Sequence, residues 1–185
     1  MHTSNASNTI SESDYGIHIL VVYEDLIMLR EFYSQYVKKG IEERNEVIQL
    51  APFYETEDSV RKILSEGSTS IDIEKWEKAK ESLIIVDSLK KYTGNVSPES
   101  DYNYNKTLVE YAKSKGKSGV SIIADKGTFP FKHRIDNLVN FELSLPSKYD
   151  IELKRICVYH QKDFSRLSDE QKLKLLSHHV IAIKI

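Results

Sequence analysis

Apolar positions along the chain alternate between short continuous runs and stripes spaced by three and four. Ile17-His18-Ile19-Leu20-Val21-Val22-Tyr23 is a continuous, β-branched run. It predicts a strand covered on both faces, as in a parallel sheet. Glu24-Asp25 ends it, and Leu26, Leu29, Phe32, Tyr33, Tyr36 and Val37 then form one helical stripe, with a stop expected at Gly40. The cycle repeats. Glu46–Ala51 predicts a second strand closed by Pro52, and Thr56 an N-cap for a helix carrying Val60, Ile63 and Leu64 that stops at Gly67. A short helix around Ile73–Ala79 precedes a third strand, Leu83–Asp87, and Thr93–Pro98 predicts a loop. Then follow a helix over Asn105–Lys115, a strand over Gly119–Asp125, a helix over Arg134–Leu145 and a strand over Arg155–Tyr159. A helix capped by Ser168 and a closing strand, Val180–Ile183, end the series.

Strands separated by helices require crossover connections. They predict an α/β domain of three layers, a mostly parallel sheet with helices on both faces. Ligands of such sheets sit outside the carboxyl ends of the strands. The candidate ligand-binding residues are therefore those at or just past the strand ends: Tyr23, Glu24, Phe53, Tyr54, Asp87, Tyr92, Asp125 and Tyr159. Eleven tyrosines support this choice, because a tyrosine at a strand end offers a pocket an apolar body and a polar tip. Ordinary packing explains the same residues equally well.

Met1–Tyr15 breaks the pattern. It is rich in Ser, Thr and Asn and is expected to be a disordered, mobile tail ahead of a single domain over 16–185. The 185 residues match one domain at roughly 100–200 residues each. Twenty-six Lys and Arg against 28 Asp and Glu leave a net charge of −2, which gives no electrostatic case for direct nucleic-acid binding. No run nears the roughly 20 apolar residues of a membrane span, and the amino terminus lacks a cationic segment followed by an apolar core, so neither a membrane nor secretion is expected. One cysteine excludes an internal disulfide and a multi-cysteine zinc site, and a cytoplasmic setting follows.

The candidate chemistry is sparse. A phosphate cradle needs glycines between a strand and the next helix; the first strand runs instead into Tyr23-Glu24-Asp25. Gly116-Lys117-Ser118 lies between a helix and a strand, the wrong order for such a loop. Glu24 and Asp25 with Asp87 after the third strand resemble the acid set of a response-regulator receiver. However, Asp125 and His160 stand where a receiver has a small hydroxyl and a lysine, and acids at these places also cap helices. None of the six histidines makes an i, i+4 helix pair, so no metal site is read. Cys157, between Ile156 and Val158, is expected to behave as a small buried hydrophobe.

Several pieces in order resemble the DcmR-like sensory family, also called the methanogen/methylotroph sensory (MEDS) family, a diverged RecA/KaiC-like branch without a phosphate loop. The opening strand carries His18 and ends in Tyr23, with Leu20 where the family has cysteine. Asn45-Glu46 stands at its Gly-Glu step. Asp87, Tyr92, Asp125, Phe129 and Phe141-Glu142 follow in family order. Cys157-Val158-Tyr159, Phe164 and His178 match its closing signature, with His179 where proline is usual. The resemblance spans about Gly16–Ile183. It implies a domain that binds a small organic molecule without a cofactor or nucleotide hydrolysis. It would signal through a partner protein such as a kinase or transcription regulator, with homo-oligomers also allowed. His18, Glu46, Glu142, Cys157, Phe164 and His178 are expected to be structural, His18 and Glu142 tying strand to helix. Two alternatives stay open: an enzyme, as a degenerate ATPase or a phosphoacceptor using Glu24, Asp25 and Asp87, or a ligand-free interaction module.

Overall fold

The computed structural model describes residues 2–92, 97–131 and 134–185. Six strands form one sheet: β1 (Ile17–Tyr23), β2 (Val47–Ala51), β3 (Leu83–Ile85), β4 (Val120–Asp125), β5 (Leu153–His160) and β6 (Ile181–Lys184). Their order is β3-β2-β4-β5-β1-β6, and every ladder is parallel. All seven residues of β1 are buried, as a strand sandwiched between helices must be. The register sets Tyr23 beside His160 and Asp125 beside Val158, so the carboxyl ends of the central strands are level.

Alternate residues of each strand face two helix layers. Ile17, Ile19, Val21 and Tyr23 of β1, with Ile156 and Val158 of β5, pack against α1 (Thr3–Glu12), α2 (Leu26–Glu42) and α3 (Glu57–Leu64). Leu20, Val22, Cys157 and Tyr159 face the other way. There the cover is α4 (Ser88–Tyr92), α5 (Pro98–Ser114), α6 (Thr128–Phe131), α7 (Ile135–Ser144), α8 (Gln161–Phe164) and α9 (Asp169–His178). A π-helical turn, Lys75–Ala79, stands where the short helix around Trp76 is expected. Thr56 and Ser168 accept the capping N–H groups that their positions predict.

Three expectations need correction. The amino-terminal segment is α1 and not a mobile tail. Its buried stripe is Thr3, Ala6, Ser7, Ile10 and Ser11, with Ala6 and Ile10 fully inside. Those small side chains let α1 lie close against α2, and the Lys154 ammonium donates to the Ser11 carbonyl at 2.7 Å. Gly40 does not stop α2; it lies inside the helix where β2 passes, and a Cβ there would meet Ile48 Cδ1 at 2.5 Å. Pro98 belongs to no loop. It is a first-turn residue of α5 behind the Ser97–Ser100 capping box, a place where its missing N–H costs nothing. The rest of the expected loop, 93–96, lies outside the described residues.

Candidate functional site

The central strand ends are filled by aromatic rings and acids. Tyr23 ends β1, and its hydroxyl donates to Asp125 Oδ2 at 2.7 Å; the Gly127 N–H donates to the other oxygen at 2.9 Å. Burial pushes the Asp125 carboxyl up to about 7, against the pull of those two donors, and holds the Tyr23 phenol well above its usual value. Tyr54 donates to Asp163. Its ring rests on Phe53 and His160, while Phe53 reaches Phe131. The space left beside Asp125, lined also by Tyr33, Pro52 and Val158, is about 20 Å³. That is the scale of one water molecule.

Tyr23, Phe53, Tyr54 and Asp125 thus share one place, and the other strand-end residues do not join them. Tyr159 is buried on the opposite face against Phe164. Tyr92 is buried on that same face with the Lys126 ammonium 4.9 Å from its ring centre. Glu24 is exposed and pairs with Lys184. The three acids of the receiver-like set have separate tasks: Asp25 accepts from Met28 N at the start of α2, and Asp87 Oδ1 accepts from Leu89 N at the start of α4.

Asp87 does line a larger space. A cavity of about 470 Å³ opens past the carboxyl end of β3, between the start of α3 and helices α4 and α5. Val86 and Tyr104 supply its apolar wall. Its acids are already engaged: Asp101 holds Arg155 at 2.6 Å, Asp87 caps α4, and Glu57 Oε1 accepts from the Asp87 N–H at 2.9 Å. Lys91 is different. Its ammonium is screened from solvent, finds no hydrogen-bond partner among the described residues, and stands 4.8 Å from the centre of the Tyr104 ring. Desolvation draws its pKa down to about 7. Tyr104 is itself held by a 2.6 Å hydrogen bond to Gln49 Oε1. Sequence reasoning missed Lys91 and Asp101, because they come from a five-residue helix and from the part of α5 that was expected to flank a loop; Tyr104 was legible only as one of several tyrosines in loops or at strand ends.

The sheet face under α7 and α9 carries the motif residues. His18 Nε2 lies 3.2 Å from Cys157 Sγ and 3.3 Å from Glu142 Oε2. His179 Nε2 is 3.5 Å from the same oxygen, and Lys126 Nζ is 2.8 Å from Glu142 Oε1. Burial works against the Glu142 charge, yet Lys126 and the two histidines hold its carboxyl well below the usual range. The donor atoms of His18, Glu142, Cys157 and His179 all lie within 4.8 Å of one another, and all four residues are buried. Cys157 is fully buried in an apolar cluster, as its neighbours suggested, and its sulfur also meets the His18 ring. His178 donates from Nε2 to the Leu145 carbonyl at 2.8 Å. Glu46 serves the amino end of the sheet, accepting from Tyr15 at 2.9 Å and Ser121 at 2.7 Å beside Lys154. His133 lies outside the described residues.

No family model matches the chain, and no curated protein matches it. Among solved structures it is similar to the crystal structure of a KaiC-like protein from the hyperthermophilic archaeon Pyrococcus horikoshii OT3. The TM-score is 0.61 at 15% identity, over 92% of this chain and 72% of that one. The fold is RecA/KaiC-like. The looked-for phosphate lookalike, Gly116-Lys117-Ser118, enters β4 from α5 and so lies at the amino end of that fold's sheet. Among the described residues, no helix is long and apolar enough to cross a membrane.

Proposed function

We propose that the chain is a cytosolic sensory domain that takes up a small organic acid in the cavity at the β3 edge and passes the signal to a protein partner, without turning over nucleotides. The observation that carries this reading is Lys91, an amino group with no hydrogen-bond partner among the described residues, on the wall of a cavity whose acids are already engaged. A buried cation without a hydrogen-bond partner is costly. An entering carboxylate supplies the partner, raises the Lys91 pKa and takes up a proton as it binds. The volume fits the roughly 300–1,000 Å³ of small-molecule sites, and Val86 and Tyr104 offer contact to a short hydrocarbon body. The resemblance to the methanogen/methylotroph sensory family agrees with a small organic ligand.

The turn after β1 supports the absence of nucleotide chemistry. Nucleotide-binding relatives of such folds place phosphate at a helix amino terminus reached through glycines. Here the amino end of α2 is already capped by the Asp25 carboxylate, which would repel a phosphate. Binding in the cavity would bridge α3, α4 and α5 and shift their arrangement by differential affinity.

The test is thermal shift and calorimetry on the full chain with acetate, propionate, butyrate and benzoate at pH 6 and pH 9, with ATP and magnesium as a separate arm. Saturable stabilisation by at least one acid is expected, stronger at pH 6, and lost in Lys91→Met with unchanged circular dichroism. No saturable binding by any of the four, or full binding by Lys91→Met, refutes the acid site. Steady ATP hydrolysis refutes the reading without turnover.

A further inference from the structure

We infer that His18, Glu142, Cys157 and His179 form a binding site for a divalent d-block cation of the zinc class, buried between the sheet and helices α7 and α9. The inference is independent of the cavity at the β3 edge. The four donors come from four elements: β1, α7, β5 and the residue that closes α9.

Hydrogen-bond accounting is the first reason. His179 Nδ1 lies 2.7 Å from the Leu175 carbonyl. A carbonyl only accepts, so Nδ1 carries a proton, and a ring holding that one proton turns an Nε2 lone pair toward Glu142 Oε2. That oxygen is itself an acceptor, and neither atom has a hydrogen-bond partner. His18 Nε2 offers at most one proton, to be shared between Cys157 Sγ and Glu142 Oε2. The convergence has more lone pairs than protons. A cation at its centre would satisfy all four groups together.

Geometry is the second. Bond lengths of about 2.0–2.3 Å to nitrogen, oxygen and sulfur in a tetrahedral zinc site put neighbouring donors about 3.3–3.6 Å apart. Three separations here are 3.2, 3.3 and 3.5 Å, and the widest of the set does not exceed 4.8 Å. Two imidazoles, a thiol and a carboxylate suit zinc or cobalt; they do not suit magnesium or calcium, which prefer oxygen alone.

The surroundings are the third. The Nδ1–H of His179 on a backbone carbonyl is the outer contact that orients a metal-binding imidazole. Lys126 occupies Glu142 Oε1 at 2.8 Å, leaving Oε2 as the ligating oxygen. Binding releases the thiol proton to solvent.

The full-length chain, reduced and stripped with a chelator, is titrated with cobalt and then zinc. One equivalent of cobalt should bind with the intense visible bands of a tetrahedral site and a thiolate-to-cobalt charge-transfer band, and zinc should displace it. Cys157→Ser should lose the charge-transfer band, and His179→Gln should weaken binding at least tenfold, each with native circular dichroism. Should either variant fail to fold, zinc protection of the wild-type Cys157 thiol from a maleimide, reversed by chelator, reads the same contact. The absence of one tightly bound equivalent in the wild-type chain overturns the site. So does a folded Cys157→Ser variant with an unchanged spectrum, or a Cys157 thiol that reacts equally fast with and without zinc.

Discussion

The two faces of the sheet are built differently, although one sequence pattern writes both. Under α1, α2 and α3 the middle of the sheet is aliphatic and aromatic: Ile19, Val21, Ile156, Ile48 and Leu50 against Phe32, Tyr36, Val37 and Val60. Its buried polar groups gather at the two ends of the strands, as Glu46 with Lys154 and Tyr23 with Asp125. The face under α4, α5, α7 and α9 carries charge through its middle: Arg155 with Asp101, Lys126 with Glu142, and His18, Cys157 and His179 between strands and helices. A parallel sheet needs no charge in its interior, and burying a charge is costly even when paired. The concentration of such groups on one face marks that face as the one shaped by something other than stability, and both proposed sites lie on it.

The sharpest way to break this comparison is to remove one partner from the charged face. Glu142→Leu strands the Lys126 ammonium and should cost about 3–5 kcal/mol in urea unfolding, whereas Glu142→Leu with Lys126→Met should recover most of that loss, because an apolar pair tolerates the site. Equal losses for the single and double variants would show that the pair is not the reason. On the opposite face, Ile10→Ala in α1 should cost about 2–5 kcal/mol, the range for a fully buried aliphatic side chain. An unchanged unfolding midpoint would return residues 3–12 to a dispensable tail.

That helix shows where sequence reading runs out. The alternation of runs and stripes was enough for all six strands and for α2, α3, α5, α7 and α9; α2 and the central strands bury broad apolar faces, and α9, which buries only Leu175, is marked instead by its Ser168 cap. α1 buries mainly small and hydroxyl residues, with Ile10 as its one large anchor, so its pattern resembles that of a solvated tail. α4, α6 and α8 are four or five residues long, too short to show a period. The strand-end acids were legible by position, since a parallel sheet aligns the ends of its strands. Their division among a filled centre, helix caps and a cavity was not, because it depends on which face each side chain takes and on the strand order. His18, Glu142 and Cys157 were legible as a group only through the family resemblance. Nothing in their spacing shows that His179 completes a four-donor cluster.

Two titrating groups sharpen the contrast at intermediate cost, one on each face. Asp125 titrates near 7 in the folded chain against an ordinary 3.8, so between those values the folded state keeps a proton that the unfolded state releases. Stability should therefore fall as pH rises to about 7. Lys91 titrates near 7 against an ordinary 10.5, so over that range the unfolded state holds the extra proton and stability should climb again. Each limb has a slope of at most about 1.4 kcal/mol per pH unit. Urea midpoints from pH 5 to 9.5 should pass through a minimum near neutrality. Asp125→Asn should flatten the acid limb alone and Lys91→Met the alkaline limb alone; a curve without a minimum, or variants that alter the wrong limb, would refute the assignments.

The smallest effect is expected at Glu24, and its smallness is informative. The Glu24–Lys184 pair lies at 2.9 Å, with both side chains more than half exposed. Exposed pairs contribute about 0–1 kcal/mol and are screened by salt. Glu24→Gln should therefore change the unfolding free energy from urea titration by less than about 0.5 kcal/mol, and the change should vanish in high salt. If Glu24 instead joined Asp25 and Asp87 around a magnesium ion, the wild-type chain would gain stability with magnesium and the variant would not. Asp25 and Asp87 each already accept a backbone N–H at the start of a different helix, so the expected result is that magnesium moves the melting curve of neither protein. A magnesium-dependent gap between them would move the functional centre from the charged sheet face to the end of the first strand.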